Sequence, residues 1–352
     1  AFILPTGGVC GYNGENGVNN RRESQVMKTI RISNTPLEVS QIAYGCMELG
    51  GGSGPEPVSE ETRNHALRAV QTALDEGINF FDHADIYGRG KSEEVFSAVF
   101  RMHPGLRDQI TVQSKCGIRF PGDPHEGSPG RYDFSYQHIV ESVEGSLKRL
   151  GTDYLDLLLL HRPDPLVEPE EVARAFDDLQ KSGKVRFFGV SNHTGAQIAL
   201  LKKYVDQPLV VNQLEMSVVH THLLDEGIVF NQDRPGRPVR GEDTLEYCRL
   251  TDVVIQAWSP LAQGYVSGRP MENPPEHIAR TSELVAWMAE EKNVSREAIL
   301  IAWLLRHPAH IQPIIGTTNP DRIRAACQAG EVELSREEWF RLFVAGRGGP
   351  LP

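Results

Sequence analysis

Four residues that can move or stabilise a proton follow three successive apolar segments of the chain. They are Asp82 and Tyr87 in FFDHADIYG, Lys115 in TVQSKCG and His161 in LLLLHRPD. A tyrosine can donate a proton to a developing alkoxide if a nearby cation lowers its pKa, and a lysine fixed by a carboxylate is such a cation. An imidazole can hydrogen-bond to the oxygen that receives the proton. Each residue alone has a structural alternative, such as an ion pair or a buried histidine, but the four together predict reduction of a carbonyl group.

The elements that position these residues follow from the hydrophobic pattern. Apolar segments typical of buried β-strands alternate with segments of helical periodicity, which is the pattern of a parallel sheet covered by helices. The predicted strands are residues 42–46, 78–84, 110–116, 154–161, 185–191, 209–217, 252–259 and 312–318. The predicted helices include residues 59–77, 92–102, 135–151, 168–183 and 194–204.

The number of strands selects the fold. Eight strand-helix units in about 300 residues fit an α/β fold of the (β/α)8 TIM-barrel type, a single domain with loop insertions on the C-terminal face of the strands. An open doubly wound sheet is the alternative, but the glycines of stretch 49–57 lack GxGxxG spacing and are followed by proline within that stretch. In a barrel all strands end on one face, so we expect Asp82, Tyr87, Lys115 and His161 to meet there.

Composition narrows the classes of partner. The chain has 352 residues and a net charge of −11, which argues against a general nucleic-acid or membrane-surface binder. No apolar run reaches the roughly 18 residues of a membrane span. The five cysteines form no CxxC pair, and we interpret them as free thiols in a reducing compartment. We therefore expect a cytoplasmic monomer or weak homo-oligomer whose partner is a small-molecule carbonyl substrate, with no nucleic acid, membrane or metal bound.

The N-terminal segment differs from the rest of the chain. Residues 1–26 are rich in Gly and Asn and have no periodic apolar pattern. We expect this segment to be disordered or vector-derived, with a natural start at Met27 and the barrel spanning residues 27–352. A functional N-terminal arm is the alternative.

Several segments of the chain resemble the signature segments of the aldo-keto reductase superfamily. They occur in the family order over residues 29–345: GINFFDHADIYG, VQSKCG, LDLLLLHRPD, VRFFGVSN, VNQLEMS and AWSPLAQG. The chain is most similar to the bacterial-type predicted oxidoreductases of that superfamily. The resemblance implies a (β/α)8 barrel that binds NADP(H), with Asp82, Tyr87, Lys115 and His161 as the catalytic tetrad. It also implies that Tyr87 is the general acid and that hydride passes from nicotinamide C4 to the carbonyl carbon.

The resemblance also implies where the nicotinamide binds. Ser191, Asn192 and Gln213 match the family residues that hydrogen-bond to the carboxamide, and short polar side chains suit an amide. Trp258 lies where an aromatic ring stacks on the nicotinamide. A barrel-plugging role is the structural alternative for this indole.

Two further segments match cofactor-binding loops of the family. One corresponds to the pyrophosphate loop and the other passes close to the nicotinamide ribose. Their residues are Ser259, Leu261 and Gly264 for the first and Gly45, Cys46 and Met47 for the second.

The end of the eighth predicted strand departs from the family pattern. Gly316 and Thr317 replace the Lys-Ser pair that usually binds the adenosine 2′-phosphate, and Ala326 replaces an Asn that touches adenine. Arg322 matches the family arginine that binds the phosphate and stacks on adenine, and a guanidinium suits both contacts. We expect NADP(H) to be preferred, bound more weakly than usual, with NAD(H) also possible.

Two other function classes are compatible with the motifs. A metal-dependent hydrolase or isomerase would use Asp82, His83, Asp85 and His161 as ligands, although Lys115 beside a metal is electrostatically unfavourable. A non-catalytic NADP-binding regulatory protein would bind the cofactor without turnover. Two Gly- and Pro-rich segments, 119–133 and 218–243, are predicted to form the walls of the substrate pocket.

Overall fold

The computed structural model describes residues 27–229 and 243–352. The predicted N-terminal segment, residues 1–26, and residues 230–242 of the second predicted pocket wall lie outside the described residues. Within the described ranges, no helix combines the length and the apolar character needed to cross a membrane.

Eight parallel strands close into a barrel, with each strand paired to the next along the chain and the last paired to the first. The barrel strands are Ala43–Gly45, Phe80–Asp82, Thr111–Cys116, Leu155–Leu160, Val185–Ser191, Leu209–Glu215, Val254–Trp258 and Gln312–Ile315. The predicted TIM barrel is therefore confirmed, and closure excludes the open doubly wound sheet.

Helices cover the outside of the barrel. In the described residues they are α1 Glu60–Asp75, α2 Lys91–Met102, α3 Tyr136–Leu150, α4 Pro169–Lys181, α5 Gly195–Lys202, α6 His222–Val229, α7 Thr244–Leu250, α8 Glu276–Glu291, α9 Arg296–Leu305, α10 Pro320–Cys327 and α11 Arg336–Gly346. The predicted helices α1 to α5 end within two residues of their predicted bounds. Side-chain caps explain this agreement, since Ser59, Ser135 and Thr194 each accept a hydrogen bond from a backbone N–H in the first turn.

A short hairpin that was not predicted lies at the N-terminal end of the barrel. Thr29–Arg31 pairs antiparallel with Glu38–Ser40, just before the first barrel strand. Its strands have only three residues each, too few to produce a periodic apolar signal. Ser40 ties the hairpin to the barrel, because its backbone N–H donates to Asn79 Oδ1 over 2.7 Å.

Strand residues alternate between two apolar cores. Phe80, Leu157 and Leu159 belong to a cluster built from strands and the hairpin, inside the barrel. Phe81 and Leu158 instead join the larger cluster between the strands and the helices. Successive side chains of a strand point to opposite faces, so this alternation determines which polar residues enter the barrel.

Candidate active site

Asp82 and Lys115 form an ion pair inside the barrel. Asp82 is two residues after the inward-facing Phe80 and therefore points inward as well. Lys115, in the third barrel strand, is completely buried, and its Nζ lies 2.8 Å from Asp82 Oδ2. Burial lowers the pKa of Lys115, but Asp82 and Tyr87 outweigh that effect and leave it above its ordinary value, so the lysine stays charged.

The Lys115 ammonium group uses all three of its hydrogens. It donates to Asp82 Oδ2, to the His83 carbonyl oxygen and to the Tyr87 hydroxyl oxygen, each over 2.8 Å. An ammonium group has three donors and no acceptor, so Tyr87 accepts in this contact. The hydrogen of the phenol is therefore left for another acceptor.

Tyr87 follows the second strand in a tight turn. Gly88, Arg89 and Gly90 all have positive φ, which reverses the chain between Tyr87 and α2. Burial raises the pKa of Tyr87, and the opposing effect of Lys115 is smaller, so the net pKa is above 10.0. The sequence predicted that a nearby cation lowers the pKa of Tyr87, but burial outweighs this effect. The phenol therefore remains protonated at neutral pH.

His161 follows the fourth strand and lies beside Tyr87. The two ring centroids are 6.1 Å apart, edge to face. Burial, with smaller contributions from Lys115 and Arg162, lowers the pKa of His161 well below 6.5, so the imidazole is neutral. Asp82, Tyr87, Lys115 and His161 are thus brought together as predicted.

Two glutamines complete the surroundings of Asp82. Asp82 Oδ1 accepts hydrogen bonds from Gln113 Nε2 over 2.6 Å and from Gln213 Nε2 over 3.0 Å. Gln213 was predicted as a cofactor residue, whereas Gln113 was not singled out. The available signal was its position two residues before Lys115, which gives both side chains the same strand face.

The predicted carboxamide-binding residues and Trp258 share one hydrogen-bond network. Ser191 Oγ donates to the Gln213 carbonyl oxygen over 2.9 Å, and Asn192 Nδ2 donates to Ser191 Oγ over 2.9 Å. Asn192 Nδ2 also lies 3.2 Å from the His161 carbonyl oxygen, and Trp258 Nε1 donates to Asn192 Oδ1 over 3.1 Å. The network places these four residues next to His161.

Arg162 is a further residue at this site that sequence reasoning missed. Its guanidinium lies 5.5 Å from the centre of the Trp258 ring, within range of a cation–π contact. Its position directly after His161 was the available signal.

The loop after the seventh strand has an unusual backbone. Ser259, Ala262, Gln263 and Gly264 all have positive φ. Residues in left-handed conformations can direct successive backbone N–H groups into one concave site, and such a site binds anions. Leu261 lies in the same loop, half-buried.

The predicted phosphate-binding arginine borders that loop. Arg322 Nη2 lies 3.7 Å from the position that a Cβ on Gly264 would occupy. The Nε atom of Arg322 is 3.7 Å from Glu297 Oε1, so the guanidinium also forms an ion pair with a carboxylate. Gly316 is exposed, and the Thr317 carbonyl oxygen accepts from the Tyr44 hydroxyl over 3.1 Å.

The three residues predicted near the nicotinamide ribose lie at the end of the first strand. A Cβ on Gly45 would approach Ile314 Cγ2 to 3.0 Å. Cys46 is buried, and burial raises the pKa of its thiol well above the ordinary value. Met47 has 52% of its surface exposed and begins a short 3-10 helix.

The residues proposed as metal ligands do not assemble into a ligand set. The His83 ring packs edge-on against Phe96 with centroids 4.6 Å apart, while Asp82 is engaged by Lys115. Across residues 27–229 and 243–352, no group of three or more His, Cys, Asp or Glu side chains is arranged to bind a metal ion.

The chain matches known proteins over most of its length. Residues 41–343 match the model of the Aldo/keto reductase family. The chain is 37% identical to 6-dehydroglucose reductase of Agrobacterium fabrum, over 92% of this chain and 99% of that protein. It is 40% identical to the uncharacterized oxidoreductase YcsN of Bacillus subtilis, over 81% of this chain and 89% of that protein. Its fold matches a glycerol dehydrogenase from Gluconobacter oxydans with a TM-score of 0.76 at 23% identity, over 92% of this chain and 97% of that one.

Proposed function

Because the chain belongs to the aldo-keto reductase family, whose members are oxidoreductases that act on carbonyl compounds with a nicotinamide cofactor, we propose that it uses NADPH to reduce an aldehyde or ketone, with Tyr87 as the proton donor. The observation that carries this proposal is the contact between Lys115 Nζ and the Tyr87 hydroxyl at 2.8 Å. Lys115 donates in that contact, so the phenolic hydrogen is free for the carbonyl oxygen.

The four tetrad residues have separate roles in the proposed proton transfer. Tyr87 is protonated before the reaction because burial raises its pKa. As its proton moves to the substrate oxygen, the developing phenolate is stabilised by Lys115, which Asp82 keeps charged and fixed. His161 is neutral, so it can orient the carbonyl oxygen through a hydrogen bond without adding a second positive charge.

The residues present fit a nicotinamide cofactor. The left-handed residues at 259 and 262–264 suit a pyrophosphate, and Arg322 beside Gly264 suits a 2′-phosphate. Ser191, Asn192 and Gln213 would hold the carboxamide, next to Trp258. When bound, the cofactor supplies the hydride for the carbonyl carbon.

The relatives suggest the class of carbonyl compound. Two proteins named 6-dehydroglucose reductase, from Agrobacterium fabrum and Novosphingobium aromaticivorans, are 37% and 34% identical to the chain, each over 92% of its length. We propose that the substrate is a polyhydroxylated, sugar-like aldehyde.

The proposal is tested by NADPH oxidation with 6-dehydroglucose and a panel of simple aldehydes, ketones, quinones and dicarbonyls. Tyr87→Phe should lower kcat by about a hundredfold or more, the usual contribution of a positioned acid, while NADPH still binds. Tyr136→Phe is a matched control, because that phenol lies on the outside of the barrel and donates to Asp178. Unchanged turnover in Tyr87→Phe would refute the proton-donor role, and NADPH binding without turnover by the unaltered protein would favour a regulatory protein.

Cofactor choice is tested separately at Arg322. Arg322→Met should raise the Kd for NADPH by about tenfold, the effect of losing a charge-assisted contact with phosphate, and leave the Kd for NADH nearly unchanged. Arg324→Met is the control, since Arg324 lies on the same helix and pairs with Asp321. Equal weakening of NADPH and NADH would contradict the 2′-phosphate assignment.

A further inference from the structure

Four buried glutamine side chains form a continuous chain of hydrogen bonds across the barrel interior. Gln312 Nε2 donates to the Ser40 carbonyl oxygen over 2.8 Å, and Gln256 Nε2 donates to Gln312 Oε1 over 2.9 Å. Gln256 Oε1 accepts from Gln113 Nε2 over 2.9 Å and from Gln213 Nε2 over 3.1 Å. Each of the four glutamines is at most 2% exposed.

The two ends of this chain determine the orientation of every amide. At one end is the backbone carbonyl of Ser40, and at the other is the Asp82 carboxylate, which accepts from Gln113 and Gln213. The Ser40 carbonyl and an ionised Asp82 carboxylate can only accept hydrogen bonds. The amides next to them must therefore turn their NH2 groups toward these acceptors, and the NH2 group of Gln256 turns toward the oxygen of Gln312. Gln113 and Gln213 each use both Nε2 hydrogens, one for Asp82 Oδ1 and one for Gln256 Oε1.

This orientation of the amides leaves one buried oxygen without a hydrogen bond. Gln113 Oε1 is buried and has no hydrogen-bond partner. A buried carbonyl oxygen without a partner is unfavourable. Asp82 and Gln256 therefore determine how the Gln113 amide is turned, at the expense of one of its own polar atoms.

We propose that Gln256 is a positioning residue for the reaction: by accepting from Gln113 and Gln213 together, it points both NH2 groups at Asp82. This inference rests on the proposed function, since the role of Gln256 is to hold the Asp82 carboxylate in line with Lys115 and Tyr87. A rotated amide would present Oε1 to the carboxylate, replacing an attraction by a repulsion between two acceptors. Both Nε2 hydrogens of Gln213 are engaged in this network. Only Oε1 of Gln213 is therefore left to contact the cofactor carboxamide.

The first test is Gln256→Met, which keeps the length of the side chain and removes the amide. We expect kcat with saturating NADPH to fall by about tenfold, the effect of misplacing a charged hydrogen-bonding group, with the KM for the aldehyde changed by less than about threefold. Gln207→Met is the matched control, because Gln207 is also a buried glutamine but donates to Asp177, remote from the tetrad. A loss of stability without a change in kcat, similar in both variants, would overturn the inference.

A second readout does not depend on turnover. In ¹⁵N-labelled protein, the side-chain NH2 signals of Gln113 and Gln213 should shift and exchange faster with water in Gln256→Met and should be unchanged in Gln207→Met. Unchanged signals in Gln256→Met would overturn the inference. If the unaltered protein oxidises no NADPH, the proposed function fails, and these signals still decide whether Gln256 orients the two amides.

If Gln256→Met does not fold, Gln113→Met provides the test, because it removes one donor to Asp82. This variant should lower kcat in the same way, and an unchanged kcat would overturn the inference.

Discussion

Two buried polar networks lie on opposite faces of the third barrel strand. On the inner face, Lys115 Nζ contacts Asp82 and Tyr87, each over 2.8 Å. On the outer face, Ser114 Oγ donates to Glu93 Oε1 over 2.8 Å, and Arg149 Nε donates to Glu93 Oε2 over 2.7 Å. Adjacent residues 114 and 115 thus place one carboxylate-cation pair on each side of the strand.

The two networks end differently. The outer one ends at Arg149, whose side chain is 26% exposed and therefore reaches water. The inner one ends at Tyr87, whose hydroxyl accepts from Lys115 and keeps its own hydrogen. In the proposed reaction the inner ion pair ends at a proton that Tyr87 can donate, whereas the outer ion pair ends in solvent.

The largest expected effect comes from removing the inner cation. Lys115→Met should lower kcat by about a hundredfold or more, because the phenolate loses its partner. It should also destabilise the protein by about 3–5 kcal/mol, since it leaves the Asp82 carboxylate buried without a counterion. Urea unfolding and NADPH oxidation measure the two effects.

A double variant separates stability from activity in the inner network. Asp82→Asn combined with Lys115→Met should recover much of the lost stability, because no buried charge is left unpaired, but none of the turnover. Recovery of turnover would contradict the distinction between the two networks.

A smaller effect, of a different kind, is expected in the outer network. Glu93→Gln should reduce the free energy of unfolding by about 1–3 kcal/mol, since Glu93 is fully buried and binds a guanidinium. The kcat of the folded variant should stay within about twofold, because no group of this network faces the phenol. A large loss of kcat would show that the outer network also supports catalysis.

A last expected effect is in the pH dependence of stability. Burial, reinforced by Glu93, raises the pKa of Asp85 from 3.8 to about 7. Because the folded-state pKa is the higher one, the contribution of Asp85 is fully present below pH 3.8 and is lost as the pH rises through about 7. Asp85→Asn should therefore flatten the unfolding free energy over this range, and an unaltered slope would refute the assignment.

The sequence was sufficient to predict the barrel and the meeting of Asp82, Tyr87, Lys115 and His161, because both depend on local signals. Apolar runs defined the strands, Ser and Thr caps defined helix starts, and the four residues lie at or just beyond the ends of strands. The glutamine chain was not predictable in that way. Gln113 and Gln256 lie inside apolar strands and Gln312 begins another, and only the register of the closed barrel brings their amides together.

The raised pKa of Tyr87 could also not be predicted from the sequence. The cation beside it could be inferred from the motif, but the degree of burial that outweighs the cation depends on packing from several elements. The hairpin at residues 29–40 escaped prediction because three-residue strands carry too little periodicity.

The three hydrogen bonds of Lys115 have a consequence for covalent chemistry. A neutral lysine condenses with an aldehyde to form an imine, a reaction that requires the lone pair on Nζ. Here Nζ is fully protonated, and each hydrogen is held by an acceptor at 2.8 Å. In the proposed reaction, an aldehyde beside this amine would therefore meet no free lone pair, and no imine with Lys115 would form.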